Sequence, residues 1–338
     1  MLSVNTSPQQ IRWPKVYIIV LNWNNAPDTI ECLESVFRLK SDNFQVVVCD
    51  NASPDNSKQA IIGWLTQQKH SIKEIGVSDL GSIKSSQDAE AVLISNEQNY
   101  GYAGGNNRGL RYALAAGADQ DFVWIINNDT TLDPEALNKL LEEATLRTEI
   151  GIFGSTILDF SNHSKIQTQG GDRFYPWVGM SRHIGEGLTL ENQLPRAVVE
   201  AKMSYVVGSS VFARLSAVDK IGLMEERYFL YFEEVDWATR AKRLGVKIGY
   251  APESLVYHKD GSTISGSVLA KRKSLTADYY GIKNRLVVAR RLFRWALPTV
   301  YLAMLITLAK RLLTGQFDRA WMVLTIILGI DRRPKQPS

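Results

Sequence analysis

The sequence predicts an α/β protein: a doubly wound, mostly parallel sheet flanked by helices, followed by a C-terminal amphipathic helical segment. Three observations predict it. Runs rich in β-branched residues alternate with runs of helical period through the first 145 residues, the pattern of a parallel sheet with crossover helices. Those strand-like runs are apolar throughout, as strands covered on both faces are. From Lys271 to the end, 14 Lys/Arg stand against 3 Asp/Glu and are interleaved with long apolar stretches, so the tail differs in kind from the body.

The elements follow in order. Residues 16–21 (VYIIVL) form the first buried strand. Residues 29–39 carry Ile30, Leu33, Val36 and Phe37 on one helical face. Residues 45–49 (QVVVC) are a second strand and 57–67 a second helix. Residues 71–90 are polar and aperiodic, and read as a surface insertion. A third strand covers 91–95 (AVLIS), a helix 107–116, a fourth strand 122–126 (FVWII) and a helix 134–145, with Thr131 or Asp133 as its cap. Further on, 205–212 reads as a strand bent at Gly208, and 255–257 as a strand ending at His258.

Composition narrows the function classes. A chain of 338 residues suggests about two domains or one large one. Apolar residues make up 45% and charged residues 22%, which excludes collagen-like, disordered and wholly membrane-embedded proteins. The net charge of +4 hides an asymmetry, because the first 270 residues hold 25 basic and 32 acidic side chains. Two cysteines, Cys32 and Cys49, make no disulfide framework and no zinc pattern, so a reducing compartment is expected. The first apolar run is too short for a signal peptide, and a cytoplasmic location is the expectation.

Polar clusters stand at all four strand ends: Asn22-Trp23-Asn24, Asp50-Asn51-Ala52-Ser53, residues 99–109 (NYGYAGGNNRG), and Asn127-Asn128-Asp129-Thr130. In such sheets ligands bind beyond the carboxyl ends of the strands, so one crevice collects them. The Gly-rich run is no Walker loop and fails GxGxxG; its glycines permit close backbone approach, and a helix starting at Asn107 would aim amides at an anion. Asp129 suits Mg²⁺ or Mn²⁺ completed by substrate phosphates. Glu233, Glu234 and Asp236 lie within four residues beside an aromatic run. Carboxylates placed so are solvated, paired or used, and burial would tune one as a general base. His258 follows a strand in the same half and is a candidate metal ligand.

These segments together resemble glycosyltransferase family 2 enzymes of the GT-A (Rossmann-like) fold, in the rhamnosyltransferase-like branch. The likeness is carried by VLNWN (20–24), CDNAS (49–53), NYGYAGGNNRG (99–109), WIINNDT (124–130), GSSVFARLSAVDKIG (208–222) and YFLYFEEVDWATRAKRLG (228–245). It runs from about residue 14 to about residue 290. The resemblance implies a GT-A domain over 14–270, with a nucleotide-sugar half at about 14–133 and an acceptor and catalytic half at about 150–270. It implies that Asn22, Asn24 and Asp50 hold the nucleotide base and ribose, and that Asn99, Gly104 and Asn106 line the donor site. Asp129 becomes the metal-binding end of a DxD motif in which Asn127 replaces the first Asp, and His258 a further metal contact. Glu234 becomes the catalytic base, in a Glu-Glu pair where the family has Glu-Asp or Asp-Asp, with Asp236 as the supporting acid. The implied reaction is an inverting transfer, dependent on Mg²⁺ or Mn²⁺, from a dTDP, UDP or GDP sugar to a hydroxyl of a saccharide or lipid-linked saccharide, with rhamnose one candidate sugar.

Two other readings stay open on the residues alone. A nucleotidyltransferase of the same fold would place a Gly-rich signature and a Lys after the first strand, which residues 22–25 lack. A non-catalytic nucleotide-sugar or glycan-binding protein would tolerate Asn127 and the Glu-Glu pair. Acceptor recognition is expected in 155–203, including Gly170-Gly171 and Trp177.

The tail, 271–333, holds two apolar runs, 295–309 and 320–330, edged by Arg290, Arg291, Arg294, Lys310 and Arg311. The first is interrupted by Pro298 and as a helix would span about 22 Å, less than a bilayer core of about 30 Å. In-plane or re-entrant helices on an anionic membrane surface, at the cytoplasmic face of the cell membrane, are expected, with a core-packing helical pair in a soluble oligomer as the alternative. Nucleic acid is not expected as a partner, because no polar basic groove accompanies the charges.

Overall fold

A computed structural model describes residues 13–85, 87–259 and 274–330. The expected boundary at 270/271 lies outside the described residues, as do the tail positions 271–273 and 331–333.

The nucleotide-side half runs β1 (Val16–Asn22), α1 (Ala26–Val36), β2 (Phe44–Asp50), α2 (Ser57–Gln67), β3 (Ile72–Gly76), β4 (Ala91–Ser95), α3 (Gly101–Ala116), β5 (Phe122–Asn127). The second half adds β6 (Thr130–Leu132), α4 (Ala136–Leu146), β7 (Ile150–Asp159), β8 (Asn162–Gln169), β9 (Gly171–Tyr175), β10 (Met180–His183), α5 (Arg196–Lys202), β11 (Tyr205–Val206), β12 (Ser210–Arg214), α6 (Leu215–Ile221), α7 (Glu233–Arg243) and β13 (Lys247–His258). The tail is α8 (Leu275–Leu292), α9 (Leu297–Leu313) and α10 (Phe317–Ile327).

The main sheet has the order β3-β4-β2-β1-β5-β12-β7-β13-β6, with β8 also on β7. Strands β3 to β5 are parallel, and β12 enters antiparallel between β5 and β7. Successive residues of β1 serve opposite cores. Val16, Ile18 and Val20 pack with α1, α2 and α4, whereas Tyr17 and Ile19 pack with α3 and α6. Burial on both faces explains why the run is apolar without alternation. A second sheet, β10-β9-β11, stands apart from the first.

Five expectations change. Residues 71–90 are not all loop: β3 is an edge strand parallel to β4. Only Ile75 of its five residues is buried, so the apolar signal of a strand is missing. Helix α3 begins at Gly101, not Asn107, so the Gly-rich run is itself helix. A Cβ at Gly105 would lie 2.3 Å from Leu21 Cδ1, and one at Gly109 2.6 Å from Ile19 Cγ2; these glycines let α3 settle against β1. The 205–212 strand is two strands in different sheets, β11 and β12, parted at Gly208. Pro298 does not interrupt α9 but lies in its first turn, where its missing N–H costs nothing. The helical run Arg294–Leu313 reaches 20 residues, about 30 Å, because Lys310 and Arg311 end the apolar run without ending the helix.

The tail helices share a core of their own, including Tyr279, Tyr280, Leu286, Val300, Met304 and Val323. Asp278 ties them together, pairing with Arg311 and Arg319 at 2.6 Å each. The same core receives Phe229, Leu230 and Tyr231 from the loop before α7.

Candidate active site

The carboxyl edge of the sheet collects the polar strand ends. Asn22 pairs in register with Asp50, and Leu21 with Asn127. Asp50 is buried and accepts from Asn22 Nδ2 at 2.8 Å, Ser53 Oγ at 2.7 Å and the Ser53 amide at 3.2 Å. Asn22 has no exposed surface; its Oδ1 accepts from Thr29 Oγ1 at 2.7 Å, and Thr29 accepts from Asn128 Nδ2 at 2.9 Å. Asn22 and Asn128 therefore brace the two strand ends rather than face the crevice. Asn24 adopts φ 55°, its amide donates to Ser53 Oγ at 3.0 Å, and its Oδ1 has no hydrogen-bond partner among the described residues.

Asn51, absent from the expected set, organises the next loop. It donates to Asn99 Oδ1 at 2.9 Å and Gly101 O at 3.0 Å, and accepts from Asn96 Nδ2 at 3.0 Å and the Tyr100 amide at 3.1 Å. Asn99 thereby sits at the crevice edge. Gly104 and Asn106 lie inside α3 and are buried. Asn106 donates to Tyr102 O at 3.0 Å, and a Cβ at Gly104 would meet Tyr100 Cβ at 2.5 Å.

The second centre joins residues far apart in sequence. The antiparallel pairing of β13 with β6 sets His258 opposite Thr130. His258 Nε2 then lies 3.3 Å from Asp129 Oδ1. Its Nδ1 is 3.0 Å from Gln167 Oε1, and Gln167 Nε2 donates to His258 O at 2.8 Å. With Nδ1–H donated to Gln167, the lone pair of Nε2 is left facing Asp129, which is how metal-binding imidazoles are oriented. Asp129 and His258 thus fit two neighbouring positions on one divalent cation, whose ligands sit about 3 Å apart when bonds are about 2.1 Å. Among the described residues no group of three His, Cys, Asp or Glu forms a closed metal cage, so substrate oxygens would have to complete the shell.

A further set of carboxylates stands at the start of α7. Burial pushes the Glu234 carboxyl up to about 7, with Asp172 adding to the rise and backbone amides at Glu234 and Gly208 opposing it. Glu233, 1% exposed, is pushed well above the usual range by burial and by the charge of Glu234. A neutral Glu233 beside a Glu234 that ionises near neutrality is the separation of acid and base roles that like-charge pairs produce. Gly208 makes room for this arrangement, since a Cβ there would lie 2.4 Å from Glu234 Oε1 and 2.9 Å from Tyr102 Oη. Tyr102, also unexpected, donates to Gly208 O at 2.6 Å. Burial raises its hydroxyl pKa, with Glu234, Glu233 and Asp129 each contributing.

Asp236 does not join them. Two residues after Glu234 on a helix, it points to another side, has no exposed surface, and is held by Arg240 at 2.7 Å, Arg291 at 2.6 Å and the Tyr228 hydroxyl at 3.1 Å. Two guanidiniums consume its charge, so its place is an anchor between α7 and α8 rather than a supporting acid. The loop ahead of α7 is wound through left-handed backbone: Phe229, Tyr231 and Phe232 have φ of 62°, 67° and 75°. Asn284 of α8, fully buried, donates to the carbonyls of Tyr228, Leu230 and Tyr231 at 2.8, 2.8 and 3.0 Å. Gly101, at φ 70°, packs against Phe229 O, to which the Tyr102 amide donates at 2.7 Å.

A profile of glycosyl transferase family 2 matches residues 17–221, and one of glycosyl transferase family group 2 matches 122–330. The low-salt glycan biosynthesis hexosyltransferase Agl10 of Haloferax volcanii is 26% identical over 71% of this chain, which spans 66% of that protein's length. The N-acetylglucosaminyl-diphospho-decaprenol L-rhamnosyltransferase of Mycobacterium tuberculosis is 22% identical over 73% of this chain and 76% of its own. Among solved structures, the mannosyltransferase PcManGT of Pyrobaculum calidifontis, in complex with GDP-Man and Mn²⁺, superposes with a TM-score of 0.52 at 15% identity, covering 96% of this chain and 89% of that one. The fold is GT-A.

Proposed function

Since this chain belongs to glycosyl transferase family 2, we propose that it transfers a sugar from a nucleotide-diphosphate donor to a hydroxyl of a lipid-linked saccharide, with inversion at the anomeric carbon. The observation that carries this reading is that the β5–β12 pairing brings two unlike centres near each other, Asn127 donating to Ser209 O at 3.3 Å next to Gly208, against which Glu234 packs. One is the Asp129–His258 pair, suited to a cation and phosphate. The other is a glutamate whose carboxyl ionises near neutrality, suited to deprotonating a hydroxyl. The relatives named for rhamnosyl transfer to a diphospho-lipid and for hexosyl transfer support the acceptor class.

In this reading Asp50, held by Asn22 and Ser53, accepts from the nucleoside, and the Asn96–Gly101 turn, held by Asn51, lines the donor. Asp129 and His258 hold a Mg²⁺ or Mn²⁺ ion, which when bound neutralises charge on the departing diphosphate. Glu234 takes the proton of the acceptor hydroxyl as it attacks. Glu233 stays protonated, and Tyr102 keeps the carbonyl of Gly208 turned away from Glu234. A base that takes the acceptor proton as the hydroxyl attacks suits direct displacement at the anomeric carbon. The apolar surface of α9, with Leu302, Leu305 and Ile306 exposed, supports docking of the tail on the cytoplasmic face of a membrane.

Thermal stabilisation by nucleotide diphosphates tests the donor site. UDP, dTDP or GDP with Mn²⁺ is expected to raise the melting temperature, and Asp129→Ala to abolish the metal-dependent part. No shift with any nucleotide, with or without metal, would count against the reading. The pH profile offers a second check. Glu234 acts in its ionised form, so kcat is expected to rise as pH increases through about 7 and to level off above it. A profile flat from pH 5 to 9 would remove Glu234 as the base.

A further inference from the structure

Asp129 and His258 come from two strand ends that meet over a short ladder. β13 pairs with β6 through three residues, and His258 opposite Thr130 is the last of them. On its other side β13 runs along β7 as far as Asp159, which fixes the strand but not its distance from the turn that carries Asp129. End rungs of a ladder fray, so the separation of the two side chains depends on what holds the chain just past His258. The turn itself is carried by helix α1. Thr29 Oγ1 accepts from Asn128 Nδ2 at 2.9 Å, the Cys32 thiol donates to Asn127 O at 3.6 Å, and Ser35 Oγ accepts from the Leu132 amide at 3.0 Å. These three residues share one face of the helix. The Thr29 hydroxyl also donates to Asn22, so α1 underlies both the nucleoside-side strand end and the Asp129 turn.

Lys259 joins the end of β13 to the same helix. Its amide donates to Asp129 O at 3.0 Å. Its ammonium pairs with Asp28 of α1 at 2.6 Å and with Glu31 one turn on, and it lies 5.0 Å from the centre of the Phe160 ring. The Lys259 and Asp28 side chains are 19% and 14% exposed, so this pair lies mostly out of water, where salt screens it little. Asp28 is itself held in place: Asn25 Nδ2 donates to its carboxylate, and its amide donates to Asn25 Oδ1 at 3.3 Å. Two carboxylates satisfy the ammonium, so its place is support of the cation site rather than contact with a phosphate.

We infer that Lys259 is a positioning residue for the divalent cation: by clasping Asp28 and Glu31 it fixes the His258 end of β13 on the helix that carries the Asp129 turn, and so sets the distance between His258 and Asp129. This deepens the function proposed above and rests on its cation site, but its test reads binding alone. The full chain is titrated with Mn²⁺ in the presence of saturating UDP, dTDP or GDP, and free Mn²⁺ is followed by its electron paramagnetic resonance signal. Lys259→Met is expected to bind Mn²⁺ about tenfold more weakly, the low end of what losing a supporting partner costs a metal site. Its nucleotide affinity with the metal chelated is expected to match wild type, because Asp50, Asn22 and Ser53 stay bonded to one another. Lys259→Arg keeps a cation between the two carboxylates and is expected to restore Mn²⁺ affinity.

The sign of the change separates this role from a purely electrostatic one. Lys259 is a positive charge beside a cation site, so by its field alone its removal would tighten Mn²⁺ binding. Equal or tighter Mn²⁺ binding by Lys259→Met would therefore overturn the inference. So would a matching loss of metal-free nucleotide affinity, which would mean a general loosening of this end of the sheet. Lys259→Gln is neutral but still able to donate to one carboxylate; it is read by the same sign if Lys259→Met does not fold. Failure of wild type to bind Mn²⁺ with any of the three nucleotides would strike the cation site itself. Wild-type binding that Lys259→Met leaves unaltered would strike only the clasp.

Discussion

Glu234→Gln is expected to bind donor nucleotide as wild type does and to turn over about 10³-fold more slowly, within the range that general-base removal produces. The amide keeps the volume that Gly208 leaves for this side chain, so the crowding around Glu234 Oε1 and the Tyr102 hydroxyl is undisturbed. What disappears is the carboxylate that ionises near neutrality. Its loss also removes the charge that helps keep Glu233 protonated, so Glu233 is expected to ionise at lower pH in the variant. Glu233 has no exposed surface to speak of and one oxygen without a hydrogen-bond partner among the described residues, so it cannot take over by simple approach of the acceptor. Steady-state kinetics alongside nucleotide titration checks this. If Glu234→Gln stays active while Glu233→Gln does not, the base assignment belongs to Glu233. If both stay active, the carboxylate pair is not the base.

Asn284→Ala is expected to be the most damaging substitution outside the crevice. One side-chain amide donates to the carbonyls of Tyr228, Leu230 and Tyr231, in a loop whose Phe229, Tyr231 and Phe232 all occupy left-handed backbone. Each such residue costs about 1–2 kcal/mol relative to ordinary backbone, and the amide offsets part of that. Removing it leaves buried carbonyls unpaired, at about 1–3 kcal/mol, and lets the loop relax. Because α7 starts at Glu233, directly after Phe232, the relaxation moves the base. A displacement of about 1 Å is enough to lower kcat about a hundredfold. Asp50, Asn22 and Ser53 stand on other elements, whereas Phe229 O touches the Gly101–Tyr102 turn, so donor affinity is expected to fall far less than kcat. Asn284→Asp, which supplies no donor when ionised, should not rescue. An equal loss of kcat and donor affinity, tracking a general drop in melting temperature, would reduce Asn284 to a structural role.

The two substitutions differ in how visible their targets are in the chain. Glu234 sits in a run of three carboxylates next to aromatics, a signal that local chemistry alone makes conspicuous. Asn284 is one polar residue in the middle of a helix, and nothing near it in sequence reveals that its partners are more than fifty residues away. Tyr102 and Gln167 are similar. Each is an unremarkable residue until a strand or helix from elsewhere brings Gly208 or His258 beside it.

Sequence by itself determined the parallel sheet, because strands buried on both faces must be apolar throughout. It also marked the four polar strand ends that the parallel register gathers at one edge of the sheet, where the proposed donor site lies. Tertiary structure alone decided the rest. Register between β13 and β6 brought His258 to Asp129. The half-exposed edge strand β3 escaped the apolar pattern because water, not core, covers most of it. Helical spacing turned Asp236 away from Glu234 and toward two arginines, one of them in the tail. Periodicity reports which residues avoid water, whereas the direction of a polar side chain depends on which distant partner reaches it first.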